Sequence, residues 1–252
     1  MNGTIFLVVF FIGIVMGGIV NRFVRCIPAE LPLIKVKKIR IHDMTKLSLV
    51  KVFSMDRYLD LKRGLLLCDT KKLVQNTTVV LAHGLIYVLL FIKFGFSLLF
   101  IKYCFLISVL FVIGLIDFAT QYVYSSTIMV GAIGGIVFTV MECFQFRTWP
   151  SDAVLGAVVG FLIIGLIVWI TGGMGEGDIE IAALCGLFTG LTGSLLTIFF
   201  SFILGGIVGV ILLSYRKKGR KDEMAFGPYL ALGAIITIFL GHELFAIYLQ
   251  WI

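Results

Sequence analysis

Apolar residues in this chain fall in long runs, with polar residues gathered between them. The runs cover roughly residues 4–20, 79–96, 98–116, 126–141, 153–171, 179–191, 194–213 and 225–251. Most have the length a helix needs to cross the hydrocarbon core of a bilayer, roughly 20 residues. The pattern predicts an all-α polytopic membrane protein with about eight transmembrane helices. The run 179–191 is short and contains glycine, so it carries the weakest helical signal. Between the first two runs lies a long polar, basic segment with Pro28 and Pro32 near its start. The expected organisation is therefore a first helix over 1–20, a basic cytoplasmic segment over 21–78, and a membrane domain over 79–252.

Composition supports this reading. The chain of 252 residues is 60% hydrophobic and only 14% charged, with a mean hydropathy of +1.10. A soluble domain of this size needs far more polar surface around its core. The formal charge of +7 raises the question of nucleic acid, but its distribution answers it. Eighteen of the 21 Lys and Arg lie in two stretches, Arg22–Lys72 and Arg216–Lys221, each between apolar runs. That is the signature of cytoplasmic loops under the positive-inside rule, with attraction to anionic headgroups as a secondary effect. No nucleic-acid module accompanies the charge, so no nucleic-acid partner is expected. The five cysteines form no C-x-x-C pair, so neither a metal site nor a disulfide framework is expected.

No Lys or Arg precedes the first run and no A-x-A-like site follows it, which predicts a retained helix with its N-terminus outside. With segment 21–78 inside, eight helices place Arg216–Lys221 inside as well. They also place Asp117 and Asp178, each at the edge of an apolar run, on that same cytoplasmic face. Omitting the short helix would move the last basic loop outside and break the charge rule.

Carboxylates at the edge of membrane helices are costly and are functional candidates by default. Two that meet can hydrolyse a peptide without metal or nucleophile. The ionised one takes a proton from water, and the protonated one donates to the scissile carbonyl. The proton belongs to the pair, so neither role is fixed to Asp117 or Asp178. Asp178 closes the loop Gly175-Glu176-Gly177-Asp178. Its glycines permit backbone conformations closed to other residues and let a substrate backbone approach. Taken alone, this loop is explained about as well by a tight turn between helices. Glu176 reads as a solvated loop side chain, and Glu180 should point away from Asp178 on a helix. His83 falls near the start of the second helix, and His242 and Glu243 near the end of the chain. No G-x-S-x-G nucleophile signature is present.

Several stretches, in order along the chain, together resemble the type IV prepilin peptidase family of G-x-G-D membrane aspartic peptidases. They are Gly17-Gly18-Ile19-Val20-Asn21 followed by Pro28, Gly114-Leu115-Ile116-Asp117-Phe118, Asp152-Ala153-Val154-Leu155-Gly156-Ala157, Gly173-Met174-Gly175-Glu176-Gly177-Asp178-Ile179 and Phe226-Gly227-Pro228-Tyr229-Leu230-Ala231. The resemblance implies a multi-pass protein of the bacterial plasma membrane. It would cleave the short basic leader of type IV prepilins or pseudopilins after a glycine, at the cytoplasmic face. It implies Asp117 and Asp178 as the catalytic pair, with Gly175, Glu176 and Gly177 as the active-site loop. Phe226, Gly227 and Pro228 would bind substrate or hold structure. No cofactor is implied for proteolysis.

The chain departs from the family in lacking the paired C-x-x-C motifs of the first cytoplasmic segment, where it has only Cys26 and Cys68. Glu180 stands where a Lys is common, and Tyr124-Ser125 where Pro-Asp is usual. The family's second activity, N-methylation of the new amino terminus with S-adenosylmethionine, therefore stays open. Glu176, Glu180 and Asp69 are the nearest acidic partners for a basic leader. Two rival readings use the same residues. One is an ion- or proton-coupled transporter built on Asp117 and Asp178, and the other is an inactive membrane scaffold.

Overall fold

The computed structural model describes residues 3–29, 70–147, 149–172, 174–214 and 225–250. These form α1 (Gly3–Ala29), α2 (Thr70–Phe94), α3 (Leu98–Thr120), α4 (Ser125–Phe146), α5 (Ser151–Thr171), α6 (Glu176–Ser214) and α7 (Gly227–Gln250). Every described element is a helix, as the run pattern predicts. Six of them are long and apolar enough to cross a membrane, and α7 contributes a shorter apolar stretch, Gly227–Gly241.

Helix boundaries differ from the hydropathy reading in two places. α1 runs on to Ala29 and α2 starts at Thr70, so both ends of the basic segment are helical. Hydropathy marks where a helix lies in lipid, and backbone hydrogen bonding carries it past that edge. His83 is consequently in the middle of α2, not near its start.

The expected sixth and seventh helices are the two limbs of α6. Their break is Gly190, which has φ 74° and ψ −174°. A side chain on Gly160 of α5 would lie 2.6 Å from Ala182 O and 2.9 Å from Ser194 Oγ. Twelve residues of straight helix would separate those two atoms by about 18 Å. The chain therefore turns back at Gly190, and both limbs lie against α5. A positive φ is the reason for glycine there. Asp152, in the first turn of α5, accepts a hydrogen bond from Leu191 N–H at 3.1 Å and so caps the second limb.

α3 is the central helix. It packs against α1, α2, α4, α6 and α7, and Leu106, Ile107, Leu110 and Ile113 are essentially inaccessible. α1 and α2 cross closely: a Cβ on Gly13 would lie 2.7 Å from Gly84 Cα. In lipid, where apolar burial gives no drive, such small-residue crossings supply the packing. The outer faces keep large apolar side chains exposed, Leu7, Phe11, Ile133 and Leu162 among them, as a lipid-facing surface requires.

Among the described residues, two ion pairs tie helices that are not all neighbours in sequence. Lys93 of α2 meets Glu243 of α7 at 2.9 Å, and Lys102 of α3 meets Glu142 of α4 at 2.8 Å. Both lie at the end of the bundle away from Asp117, some 15 residues along α3 or about 22 Å. A further buried polar cluster joins His83, Tyr87 and Ser108. His83 Nε2 is 3.1 Å, and Tyr87 Oη 2.8 Å, from Ser108 Oγ.

Candidate active site

Asp117 lies in the last turn of α3 and Asp178 in the first turn of α6. Each residue is 4% exposed, and their carboxylates are within electrostatic reach of each other. Local chemistry explains why the two helix ends meet. α3 stops at Gln121, which adopts the left-handed conformation and returns its N–H to Asp117 O at 2.8 Å. The connector 121–124 then passes over the start of α6. A Cβ on Gly177 would lie 2.5 Å from Val123 Cβ, so only glycine lets connector and loop touch.

Backbone amides hold each carboxylate. Gly227 N–H donates to Asp117 Oδ2 at 2.9 Å, and Gly175 N–H donates to Asp178 Oδ2 at 3.2 Å. Asp178 N–H answers with a bond to Gly175 O at 3.1 Å, which closes the loop on itself. Gly227 is the first residue of α7, and a helix N-terminus favours a carboxylate by its free N–H groups and dipole. Pro228 follows where the missing N–H costs nothing.

The segment Phe226-Gly227-Pro228 therefore supports Asp117 directly. A Cβ on Gly227 would be 2.6 Å from Asp117 Oδ2 and 3.1 Å from Ile181 Cδ1. Phe226 is buried, with its ring 5.2 Å from that of Phe202. Of the two roles expected for this segment, the geometry displays the structural one.

Asp178 is not at the edge of the bundle. Gly156 faces Gly186, Gly160 faces Ala182, and a Cβ on Gly165 would sit 3.8 Å from Ile179 Cγ2. This antiparallel register sets Asp178 level with about residue 165 of α5, while α5 continues to Thr171. The carboxylate is recessed below the end of α5 by about six residues, or ~9 Å. Trp169, 82% exposed near that end, suits a membrane–water interface.

The arrangement is two buried carboxyl groups, each with Oδ2 fixed by an amide and Oδ1 taking no hydrogen bond among the described residues. Such a pair can share one proton and one water, which is what acid–base hydrolysis of a peptide needs. Gly175, Glu176 and Glu180 are exposed on the loop and helix beside it. Cys68, Asp69 and the side chains of Cys26 and His242 lie outside the described residues. Among the described residues, no three His, Cys, Asp or Glu side chains group as metal ligands. Val123 and the Lys102–Glu142 pair escaped the sequence reading, and Asp152 entered it only within the stretch Asp152–Ala157, not as the cap on Leu191. The signal for that cap was an acidic residue in the first turn of α5.

Comparison with known proteins finds similarity over the stretch that holds both aspartates. Residues 104–210 match the model of the type IV leader peptidase family. The chain is similar to the prepilin leader peptidase/N-methyltransferase of Pseudomonas putida, at 36% identity over 149 residues, which is 56% of this chain and 50% of the relative. The protein of the same name from Pseudomonas aeruginosa is 38% identical over 107 residues, 40% of this chain and 37% of the relative. That from Bacillus subtilis is 31% identical over 97 residues, 38% of this chain and 39% of the relative. The chain thus spans half or less of the length of these curated relatives. No solved structure matches it. An all-helical membrane bundle with two converging carboxylates is the class that the fold and site define. Residues 104–210, which hold both Asp117 and Asp178, are the stretch that matches the type IV leader peptidase family.

Proposed function

We propose that this protein is a membrane aspartic endopeptidase that removes the short basic leader of type IV prepilins or pseudopilins after a glycine. The observation that carries the reading is the meeting of Asp117 and Asp178 in one buried site, each held by a glycine amide. In the reaction, one carboxylate takes a proton from the attacking water. The other, protonated, gives its proton to the scissile carbonyl oxygen as the diol forms; on collapse it takes that proton back while the first carboxyl passes the water proton to the leaving amine. The amides of Gly175 and Gly227 keep the Oδ2 atoms in place, so the reacting Oδ1 atoms need no reorganisation. Because Asp178 is recessed, the scissile segment must enter the bundle in extended form, past the exposed Gly175 and Glu176. The similarity to prepilin leader peptidases supports the substrate class.

The cytoplasmic face is proposed for the site on the positive-inside pattern of Arg22–Lys72 and Arg216–Lys221. S-adenosylmethionine-dependent methylation belongs to this proposal only as an extension. The segment expected to bear on it, 21–78, falls largely outside the described residues. The test is expression with a model prepilin and the N-terminal mass of the product. Release of a leader ending in glycine supports the proposal. An extra mass of ~14 Da on the product would mark methylation. No cleavage of any of several prepilins by correctly inserted protein would sink the peptidase reading and favour the transporter or scaffold.

A further inference from the structure

α4 and α5 are joined by only residues 147–150. So short a connection ordinarily lets antiparallel helices lie side by side. These two do not pack along their lengths. α4 leans on α3 and α6, and α5 on α6. They diverge around a wedge-shaped cavity of about 510 Å³ whose floor includes Leu187, nine residues beyond Asp178 on the same limb. Ile136 and Val140 of α4 and Val154 of α5 form its apolar walls.

The mouth of the wedge is different in kind. Arg147 sits there just past α4, in the left-handed conformation at φ 52°. Trp149, 89% exposed, lies beside it. No carboxylate among the described residues pairs with Arg147, and Glu142, one turn earlier, is taken by Lys102. Thr139, 7% exposed, lines the wedge with a hydroxyl that has no hydrogen-bond partner among the described residues.

We propose that the wedge binds an anionic phospholipid, with an acyl chain between α4 and α5 and the headgroup phosphate on Arg147. The walls supply an apolar slot and the mouth supplies a cation. A guanidinium matches phosphate oxygens in a bidentate fork. A tryptophan beside it suits the headgroup level. The ester carbonyls of a phospholipid can accept the Thr139 hydroxyl, which a bare hydrocarbon cannot. The charge at the mouth selects a lipid over an apolar helix as occupant. The bound lipid would brace the limb that carries Asp178 without entering the site. This assignment is independent of the substrate reading.

The test uses the full chain in nanodiscs of equal phosphatidylglycerol and phosphatidylethanolamine, released gently into native mass spectrometry. Wild type should retain phosphatidylglycerol over phosphatidylethanolamine by about fivefold, the weight of one basic residue at an anionic surface. Arg147→Gln should remove that preference. A second reading needs no variant: Cys143 lines the same wedge, while Cys104 and Cys185 are buried elsewhere. Maleimide labelling mapped to Cys143 should be slower in discs with phosphatidylglycerol than in discs of phosphatidylethanolamine alone. Equal retention of the two lipids, a preference that survives Arg147→Gln, or Cys143 labelling indifferent to phosphatidylglycerol would each overturn the proposal. Cross-linking of Cys143 to the apolar helix of a substrate would give the wedge to that helix and overturn it too.

Discussion

Replacing Gly227 by alanine adds one methyl group at the base of Asp117. That methyl would lie 2.6 Å from Asp117 Oδ2 and 3.1 Å from Ile181 Cδ1, where ordinary contact begins at 3.4 Å. If the carboxylate alone yields, it must retreat by 0.8 Å, the difference between 3.4 and 2.6 Å. Its bond from Gly227 N–H, now 2.9 Å, would stretch toward the limit of a hydrogen bond. Overpacking of this kind costs about 1–3 kcal/mol. A catalytic group misplaced by ~1 Å loses about a hundredfold in rate. Leader cleavage by Gly227→Ala is therefore expected to fall roughly 10- to 100-fold, chiefly in kcat, with the protein still inserted in the membrane. The control is Gly165→Ala, whose methyl would meet only Ile179 at 3.8 Å and beyond. Its rate should stay within about twofold of wild type, since a helical Gly→Ala change without a clash is neutral or stabilising. The assay is the initial rate of leader removal in membranes, normalised to inserted protein. A Gly227→Ala variant that cuts at the wild-type rate would refute the claim that this amide positions Asp117.

Three further outcomes follow from the packing. Gly177→Ala should slow cleavage by pushing on Val123, and adding Val123→Ala should recover most of the loss; a double variant no better than the single would disprove that contact. Asp152→Ala should lower the thermal unfolding midpoint in detergent through loss of the cap at Leu191, worth about 1 kcal/mol, whereas Asp152→Asn, which keeps an acceptor oxygen, should lose less. Lys102→Met alone leaves the largely buried Glu142 unpaired and should cost about 3 kcal/mol. The Lys102→Met/Glu142→Leu pair should be restored to near wild-type stability, and equal losses in single and double variants would contradict this.

Much of the bundle was legible in the runs of apolar residues, because lipid demands them and helices are the only open-chain solution there. The two limbs of α6 were legible too, as the dip in hydropathy near Gly190, although the turn itself depends on a positive φ that no composition records. Asp117 and Asp178 stood out because charge at a membrane helix end is rare. Their recess by about 9 Å was not legible. It depends on the register of Gly156, Gly160 and Gly165 against the first limb of α6, a tertiary match invisible to periodicity. The same is true of Gly227, whose importance lies in the amide it offers across 110 residues of sequence. His83 shows the opposite failure: its helix begins well before the apolar run that marks it. The divergence of α4 from α5 has no sequence signal, since a four-residue connector predicts the reverse.

The central claim is that Asp117 and Asp178 act as one catalytic unit. It is tested most directly by leader cleavage with Asp117→Asn, Asp178→Asn and the double variant, each verified as inserted at wild-type level. Asparagine keeps the shape and an acceptor oxygen but cannot exchange the proton. The account predicts that either single change abolishes cleavage as completely as both together, as groups acting as a unit do. Cleavage at the wild-type rate by either single variant would contradict it.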